Sequence, residues 1–347
     1  MPFEHEQVAI VSGARAGMTT ILAVHSTALG PAAGGCRLFR YADWRAGLED
    51  ALRLSEAMTL KAALAELPVG GGKSVIAQQP DDEMTEERRR DALLDLGDLV
   101  ESFGGRYGVG EDVGTTAEDM LVVRERTAHV YCLPASHGGS GEPAEATAMG
   151  VYVSLGALVR RIFGAPTMAG RRMTVVGLGQ VGGRLAQRLA ADQVELTLSD
   201  IDPTKKALAA QLGASWLEPD EAHVTPCDVL IPAAMGGVLT PDLVALLNCR
   251  AICGPANNQL SVPDVADALD ALGILWAPDF VVNAGGLIHG VLADRQGKSP
   301  AQVSERTERI AGTLMLLLDA AEREQVAPLV AAERLARERI ANARVAS

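Results

Sequence analysis

Lys61 follows Met58-Thr59-Leu60, and Lys73 follows three consecutive glycines, Gly70 to Gly72. Most of the 31 cationic residues are arginines, so two lysines beside apolar and glycine-rich segments stand apart from ordinary solvated charges. An amine held out of water next to another cation gives up its proton more readily and becomes a usable base near neutral pH. The glycines would let backbone come close to a small ligand. Surface lysines with salt-bridge partners also explain these residues, so the pattern proposes a site without establishing one.

A second constellation is Gly177-Leu178-Gly179-Gln180-Val181-Gly182. A lone G-x-G-x-x-G is weak, but here Met173 to Val176 reads as a strand leading into it. Val181, Leu185 and Leu189 then form a helical stripe after it. The first glycine permits the tight turn, the second lets backbone approach a pyrophosphate, and the third allows close packing of helix on strand. The helix start at Gln180 and Val181 offers free amides to phosphate. Asp200 closes the next strand, where a carboxylate accepts from both ribose hydroxyls and repels a 2′-phosphate. The motif therefore points to NAD rather than NADP.

These residues need elements to hold them. Gln7 to Val11 and Thr19 to Val24 read as strands, Trp44 to Met58 as a helix, and Lys73 to Ala77 as a short strand entered through the glycines. A charged helix is expected over Met84 to Phe103 and a short strand over Val130 to Leu133. Pro134 to Pro143 is rich in Ser, Gly, His and Pro and reads as a linker. Beyond it the pattern is regular: helix Ala144 to Phe163, strand Arg172 to Val176, helix Val181 to Ala191 and strand Val194 to Ser199. Further strands at Val229 to Ile231, Ala251 to Cys253 and Ile274 to Trp276 alternate with helices. Such alternation implies a parallel sheet with helical crossovers. The expected fold class is thus α/β with two domains: 1–133 joined by about 320–347, and a Rossmann doubly wound domain over 134–319. The helix-forming tail from Pro300 would pack back on the first domain or a second subunit.

At 347 residues the chain is long enough for two cores. A formal net charge of −13 argues against a nucleic-acid or anionic-membrane surface. No apolar run reaches the length of a membrane span, and the first residues lack an apolar signal core. Five scattered cysteines, with Cys249 and Cys253 the only close pair, suit reduced cytosolic thiols rather than a zinc site. His25, His137 and His289 stand singly, and no metal is expected. The expected location is the cytoplasm.

Six blocks resemble the glutamate/leucine/phenylalanine/valine dehydrogenase family. They are Gly30-Pro31-Ala32-Ala33-Gly34-Gly35-Cys36-Arg37, Met58 to Lys61, Leu67 to Ile76, Gly110 to Thr115, Gly254 to Leu260 and Ala277 to Gly286. The resemblance covers essentially the whole chain and lies nearest the shorter leucine, valine and phenylalanine branch. It implies that the first domain binds substrate and mediates oligomerisation, so a homo-oligomer is expected. It also implies NAD-dependent deamination of a hydrophobic L-amino acid to a 2-oxo acid and ammonium, and the reverse amination. By the same resemblance Lys73 is the catalytic lysine, Asp112 assists proton transfer, and Lys61 binds the substrate carboxylate. Gly34 and Gly35 line the cleft through their backbone. Thr147 holds the nicotinamide carboxamide, with Asn257 and Asn283 close by.

The side-chain pocket implied by the family is walled by Ala33, Gly110, Leu287 and Gly290. Small residues there make room, and Gly110 with Leu287 resembles the phenylalanine-type pattern, so an aromatic substrate is favoured by a small margin over leucine or valine. Ala233 stands where relatives often carry cysteine, and Pro255 where a small residue is usual. Both would shift the nicotinamide's pose without removing a catalytic group. A non-catalytic NAD-binding sensor or assembly subunit of the same fold is the alternative. It predicts loss of Lys61, Lys73 or Asp112, and all three are present.

Overall fold

The computed structural model describes residues 4–346, with side chains to residue 343. The chain forms two compact units. The first comprises the chain up to Pro143, His289–Ser299 and the chain from Ala336 on, and the second comprises Ala144–Ile288 and Pro300–Leu335.

The first unit is built on strands β1 (Gln7–Ser12), β2 (Thr19–Ser26), β3 (Ala32–Arg40), β4 (Gly70–Gln78) and β5 (Tyr107–Glu111), in the sheet order β1-β2-β4-β3-β5. β2 runs antiparallel to β1 and β4, whereas β3 runs parallel to β4 and β5. Helix α1 (Trp44–Leu64) covers one face, where Ile21, Ala23, Val75 and Ala77 pack with Ala51. Helices α2 (Glu86–Ser102) and α3 (Ala117–Arg124) cover the other, where Leu22, Cys36, Ile76 and Tyr107 pack with Leu93, Leu96 and Met120. Because side chains alternate along a strand, each strand feeds both cores.

Three expectations for this unit change. The triple glycine lies inside β4 rather than ahead of it. β3 and β5 are full strands that the glycines at Gly34, Gly35, Gly108 and Gly110 hide from propensity. Val130 forms only an isolated parallel bridge to Val109, so Val130 to Leu133 is not a strand.

In the second unit α4 (Ala144–Phe163) is followed by β6 (Arg172–Val176), α5 (Gln180–Ala191) and β7 (Glu195–Ser199). Four short strands follow: β8 (Ser215–Trp216), β9 (Val229–Pro232), β10 (Ala251–Ile252) and β11 (Leu275–Trp276). They form one parallel sheet in the order β11-β10-β9-β6-β7-β8. The order reverses at β6, so the glycine loop leaves the sheet at the switch point where α/β sheets open a crevice. By length and composition α4 alone among the described helices could cross a membrane. It instead packs Val151, Leu155, Leu158 and Val159 into the unit, with Arg160 and Arg161 in its last turn.

The tail is two helices, Pro300–Glu324 and Pro328–Ala346. Within the first unit Arg339 Nη1 donates to the carbonyls of Ala63 and Leu64, at 3.1 and 2.8 Å. It thereby adds to the Glu66 amide on the Ala63 carbonyl and gives the Leu64 carbonyl a donor at the end of α1.

Candidate active site

The register of the first sheet puts the chemistry on one face. Ala33 lies opposite both Gly71 and Gly108, and Gly35 opposite Gly110. Two residues along β4 from Gly71 comes Lys73, so Lys73, Ala33, Gly35, Gly108 and Gly110 share the face that carries α1. A Cβ at Gly71 would collide with the backbone nitrogen and hydroxyl of Thr59 on α1. The glycine therefore serves contact between helix and sheet, not the approach of a ligand. That contact also brings α1 down beside β4, with half-buried Lys61 two residues beyond Thr59. Gly34 is needed for the same kind of reason, since its Cβ would meet the Gly72 carbonyl.

Lys73 is buried, and its Nζ lies 2.9 Å from Oδ2 of Asp112. The same oxygen accepts from Nε of Arg37 at 2.9 Å. Arg37 Nη1 in turn donates to Asp50 Oδ2 at 2.9 Å, which also accepts from the Tyr41 hydroxyl at 2.7 Å. Burial raises the Asp112 pKa, but Lys73 and Arg37 together outweigh it and hold the carboxyl down at about 2. Asp112 is therefore an ionised acceptor throughout the neutral range. Its position is set by the turn after β5: the Asp112 amide donates to Thr115 Oγ1 at 3.0 Å, and the Thr115 hydroxyl donates to the Cys36 carbonyl of β3 at 2.9 Å. Arg37 was not expected at this site. Its signal was the arginine three residues past Gly34 on the glycine-rich strand, which has no reason to be charged unless it meets an acid.

A Cβ at Gly110 would make ordinary contact with the Cβ of Tyr131 at 3.7 Å, and one at Gly290 would stand 3.2 Å from Cys132 Sγ and 3.8 Å from the Tyr131 Cβ. Ala33 is buried, and Leu287 sits half-buried in the second unit on the helical turn Gly285–His289.

In the second unit, the glycine loop matches a dinucleotide site. Gly177 has φ of +106° and sits against the backbone of Ala233 and Ala234, and a Cβ at Gly182 would strike the Gly177 carbonyl. Helix α5 begins at Gln180 and Val181 with no side-chain cap. Open space faces Gly179. The first-turn amides are thus left for an anion. Asp200 Oδ2 accepts from the Leu178 amide at 2.6 Å and Oδ1 from the Asp202 amide at 2.8 Å, so this carboxylate fastens the loop to the end of β7.

Asn257 and Asn283 meet, and the backbone of Thr147 lies beside Gly285, two residues on from Asn283. Gly285 lies against the backbone of Ala146 and Thr147, and Asn283 Nδ2 donates to Asn257 Oδ1 at 2.8 Å and to the Pro255 carbonyl at 3.1 Å. Asn283 Oδ1 is buried with no hydrogen-bond partner among the described residues. An orphaned buried acceptor is costly unless something donates to it. A carboxamide group is such a donor, so the residues present fit a nicotinamide dinucleotide. His25, isolated in sequence, gathers Glu4 and Glu56 around it, with ligand atoms within 4.8 Å of one another.

Comparison with known proteins decides the lineage. The family model described as "Glu/Leu/Phe/Val dehydrogenase, dimerisation domain" matches residues 5–129, and "Glutamate/Leucine/Phenylalanine/Valine dehydrogenase" matches residues 197–347. The chain belongs to the glutamate/leucine/phenylalanine/valine dehydrogenase family. It is an amino-acid dehydrogenase, an oxidoreductase of a family that uses a nicotinamide cofactor. It is 37% identical to a leucine dehydrogenase of Bacillus cereus over 98% of this chain and 92% of the relative. It is 38% identical to an L-tryptophan dehydrogenase of Nostoc punctiforme over 98% of this chain and 94% of the relative. The crystal structure of the Nostoc punctiforme L-tryptophan dehydrogenase superposes with a TM-score of 0.83, covering 98% of this chain and 97% of that one.

Proposed function

We propose that this protein catalyses NAD-dependent oxidative deamination of a hydrophobic L-amino acid to the 2-oxo acid and ammonium, and the reverse reductive amination. The observation that carries the reading is the Lys73–Asp112 pair, 2.9 Å apart and buried on a face otherwise floored by small residues. A bound dinucleotide would supply the acceptor for the hydride that leaves the substrate Cα. Lys61 pairs with the substrate carboxylate. Lys73, in its base form, takes a proton from the water that adds to the resulting iminium carbon. Asp112 remains anionic and balances the ammonium that Lys73 becomes. Lys73 then returns that proton to the carbinolamine nitrogen, and collapse releases ammonium and leaves the 2-oxo acid.

The test is a panel of valine, leucine, phenylalanine and tryptophan with NAD, followed by absorbance of the reduced nicotinamide. Reduction with at least one of them is expected; no reduction with any would remove the assignment.

NAD is favoured over NADP by Asp200, whose charge stands beside the phosphate loop where a 2′-phosphate would meet it. Asp200→Ala is expected to narrow the preference for NAD by about tenfold or more, consistent with loss of one charge repulsion. It should also weaken NAD itself, because the Leu178 amide loses its acceptor. An unchanged ratio of kcat/KM for the two dinucleotides would refute the ribose role. We further propose a homo-oligomer assembled through the first unit, which the dimerisation-domain match supports. A cytoplasmic location fits the five unbridged cysteines.

A further inference from the structure

Asn257 and Asn283 come from different stretches of the second unit. Asn257 lies in the loop 254–258 beyond β10, and Asn283 caps the short helix Asp279–Val282 beyond β11. The two strands are parallel neighbours, with Ile252 the register partner of Trp276. That pairing stops at the strand ends, so the spacing of the two asparagines must be set by other bonds. Gln259 makes them. It is fully buried, and both ends of its side-chain amide are engaged. Nε2 donates to the Gly254 carbonyl at 2.7 Å and so closes the loop on itself. Oε1 accepts from the Trp276 indole at 3.0 Å, and the backbone amide donates to Asp279 Oδ2 at 3.1 Å. Asp279 is buried as well; its Oδ1 accepts from the Phe280 amide at 2.9 Å, and its carbonyl accepts from the Asn283 amide at 2.9 Å. A continuous chain of bonds thus runs from Gly254 through Gln259 and Asp279 to Asn283. Between Asn257 and Gln259 the chain turns sharply at Asn258, whose φ of +53° is a conformation that asparagine tolerates.

Gln259 bonds to Gly254, Trp276 and Asp279 rather than to either asparagine. The outcome is felt at the 2.8 Å bond from Asn283 Nδ2 to Asn257 Oδ1, which commits the Asn283 nitrogen and leaves its Oδ1 as the buried acceptor. We infer that Gln259 is a positioning residue for the nicotinamide end of the dinucleotide site, acting by locking the loop of Asn257 to the segment that ends in Asn283. The inference rests on the reading that a nicotinamide carboxamide donates to Asn283, and it deepens that reading. An uncharged amide suits the place because it donates at one end and accepts at the other. A carboxylate would oppose the Gly254 carbonyl, and an apolar side chain would deprive that carbonyl and the indole N–H of their partner.

The experiment measures the Kd of NADH and of ADP-ribose, which lacks the nicotinamide, by calorimetry on the wild-type protein, Gln259→Met and Trp276→Phe. One hydrogen bond to a buried acceptor is worth up to about tenfold in affinity, so NADH should bind Gln259→Met about tenfold more weakly. ADP-ribose should stay within about twofold, because the glycine loop and Asp200 that receive it lie outside the network. Trp276→Phe keeps the Gly254 bond and the ring's packing, so a loss of about threefold for NADH alone is expected. That variant carries the test if Gln259→Met does not fold. NADH and ADP-ribose weakened in parallel would mean that Gln259 supports the unit as a whole, and NADH unchanged in either folded variant would mean that the network positions nothing. Both results overturn the inference. A wild-type protein that binds ADP-ribose as tightly as NADH would instead remove the carboxamide reading beneath it.

Discussion

Replacing Lys73 by Ala is expected to lower kcat/KM for the oxidative reaction by about three to four orders of magnitude, the upper range for loss of a positioned general base. NAD binding, read by quenching or fluorescence titration, should stay within about twofold. The two effects separate because Lys73 sits on β4 of the first unit, while the glycine loop, Asp200 and the Asn257–Asn283 pair belong to the second. The fold should survive the change. Asp112 keeps Arg37 at 2.9 Å, so its charge is not stranded. The cost should therefore fall well below the roughly 3–5 kcal/mol of an uncompensated buried charge. A variant that retains near-normal turnover would remove Lys73 from the mechanism. One that loses turnover and dinucleotide binding together would point to a structural collapse instead.

How much of this was legible beforehand depends on what each residue's role draws on. Gly177 to Gly182 could be read directly, because their task is local: a turn, a close approach and a helix start within six residues. Strand β6, expected over Arg172 to Val176, is found at those bounds for the same reason. The first unit was harder. β3 and β5 are defined by parallel pairing between distant segments, and their glycines lower the very propensity by which strands are recognised. Glycine at Gly71 looked like an approach for a ligand, whereas it makes space for Thr59, forty-odd angstroms of contour away along the chain in any extended count. Arg37 and Tyr131 escaped notice because neither forms a sequence pattern with its partners. Arg37 meets Asp112 and Asp50 only once β3, α1 and the turn after β5 are assembled. The Tyr131 ring requires the glycine at Gly108, and no spacing rule joins those two positions. Residues whose chemistry is set by local backbone were visible in the chain; residues set by tertiary charge balance or volume were not.

Asp112→Asn tests the charge balance itself. The substitution keeps the shape but removes the anion shared by Lys73 Nζ and Arg37 Nε. Arg37 retains Asp50 at 2.9 Å, so the stranded cation is Lys73, which is buried. A destabilisation of about 3 kcal/mol at neutral pH is expected, the lower end for breaking a buried ion pair. Turnover should fall about a hundredfold or more, since the ammonium form of Lys73 loses its counterion during the proton transfer. The pH dependence distinguishes this electrostatic account from simple misfit. In the folded protein Asp112 titrates at about 2, below the ordinary aspartate value of 3.8, so its contribution is fully present above about pH 5. It is lost as pH falls through 2, below which folded and unfolded chains both bind the proton. The gap in stability between the wild-type enzyme and Asp112→Asn, measured by urea denaturation, should accordingly be constant from pH 7 to 5. It should then shrink by about 1 kcal/mol by pH 3 and about 2 kcal/mol by pH 2, as the displaced pKa requires. A gap that holds constant down to the acid limit would mean that the carboxylate's charge does not stabilise the fold, and that Lys73 and Arg37 do not hold it ionised as their geometry requires.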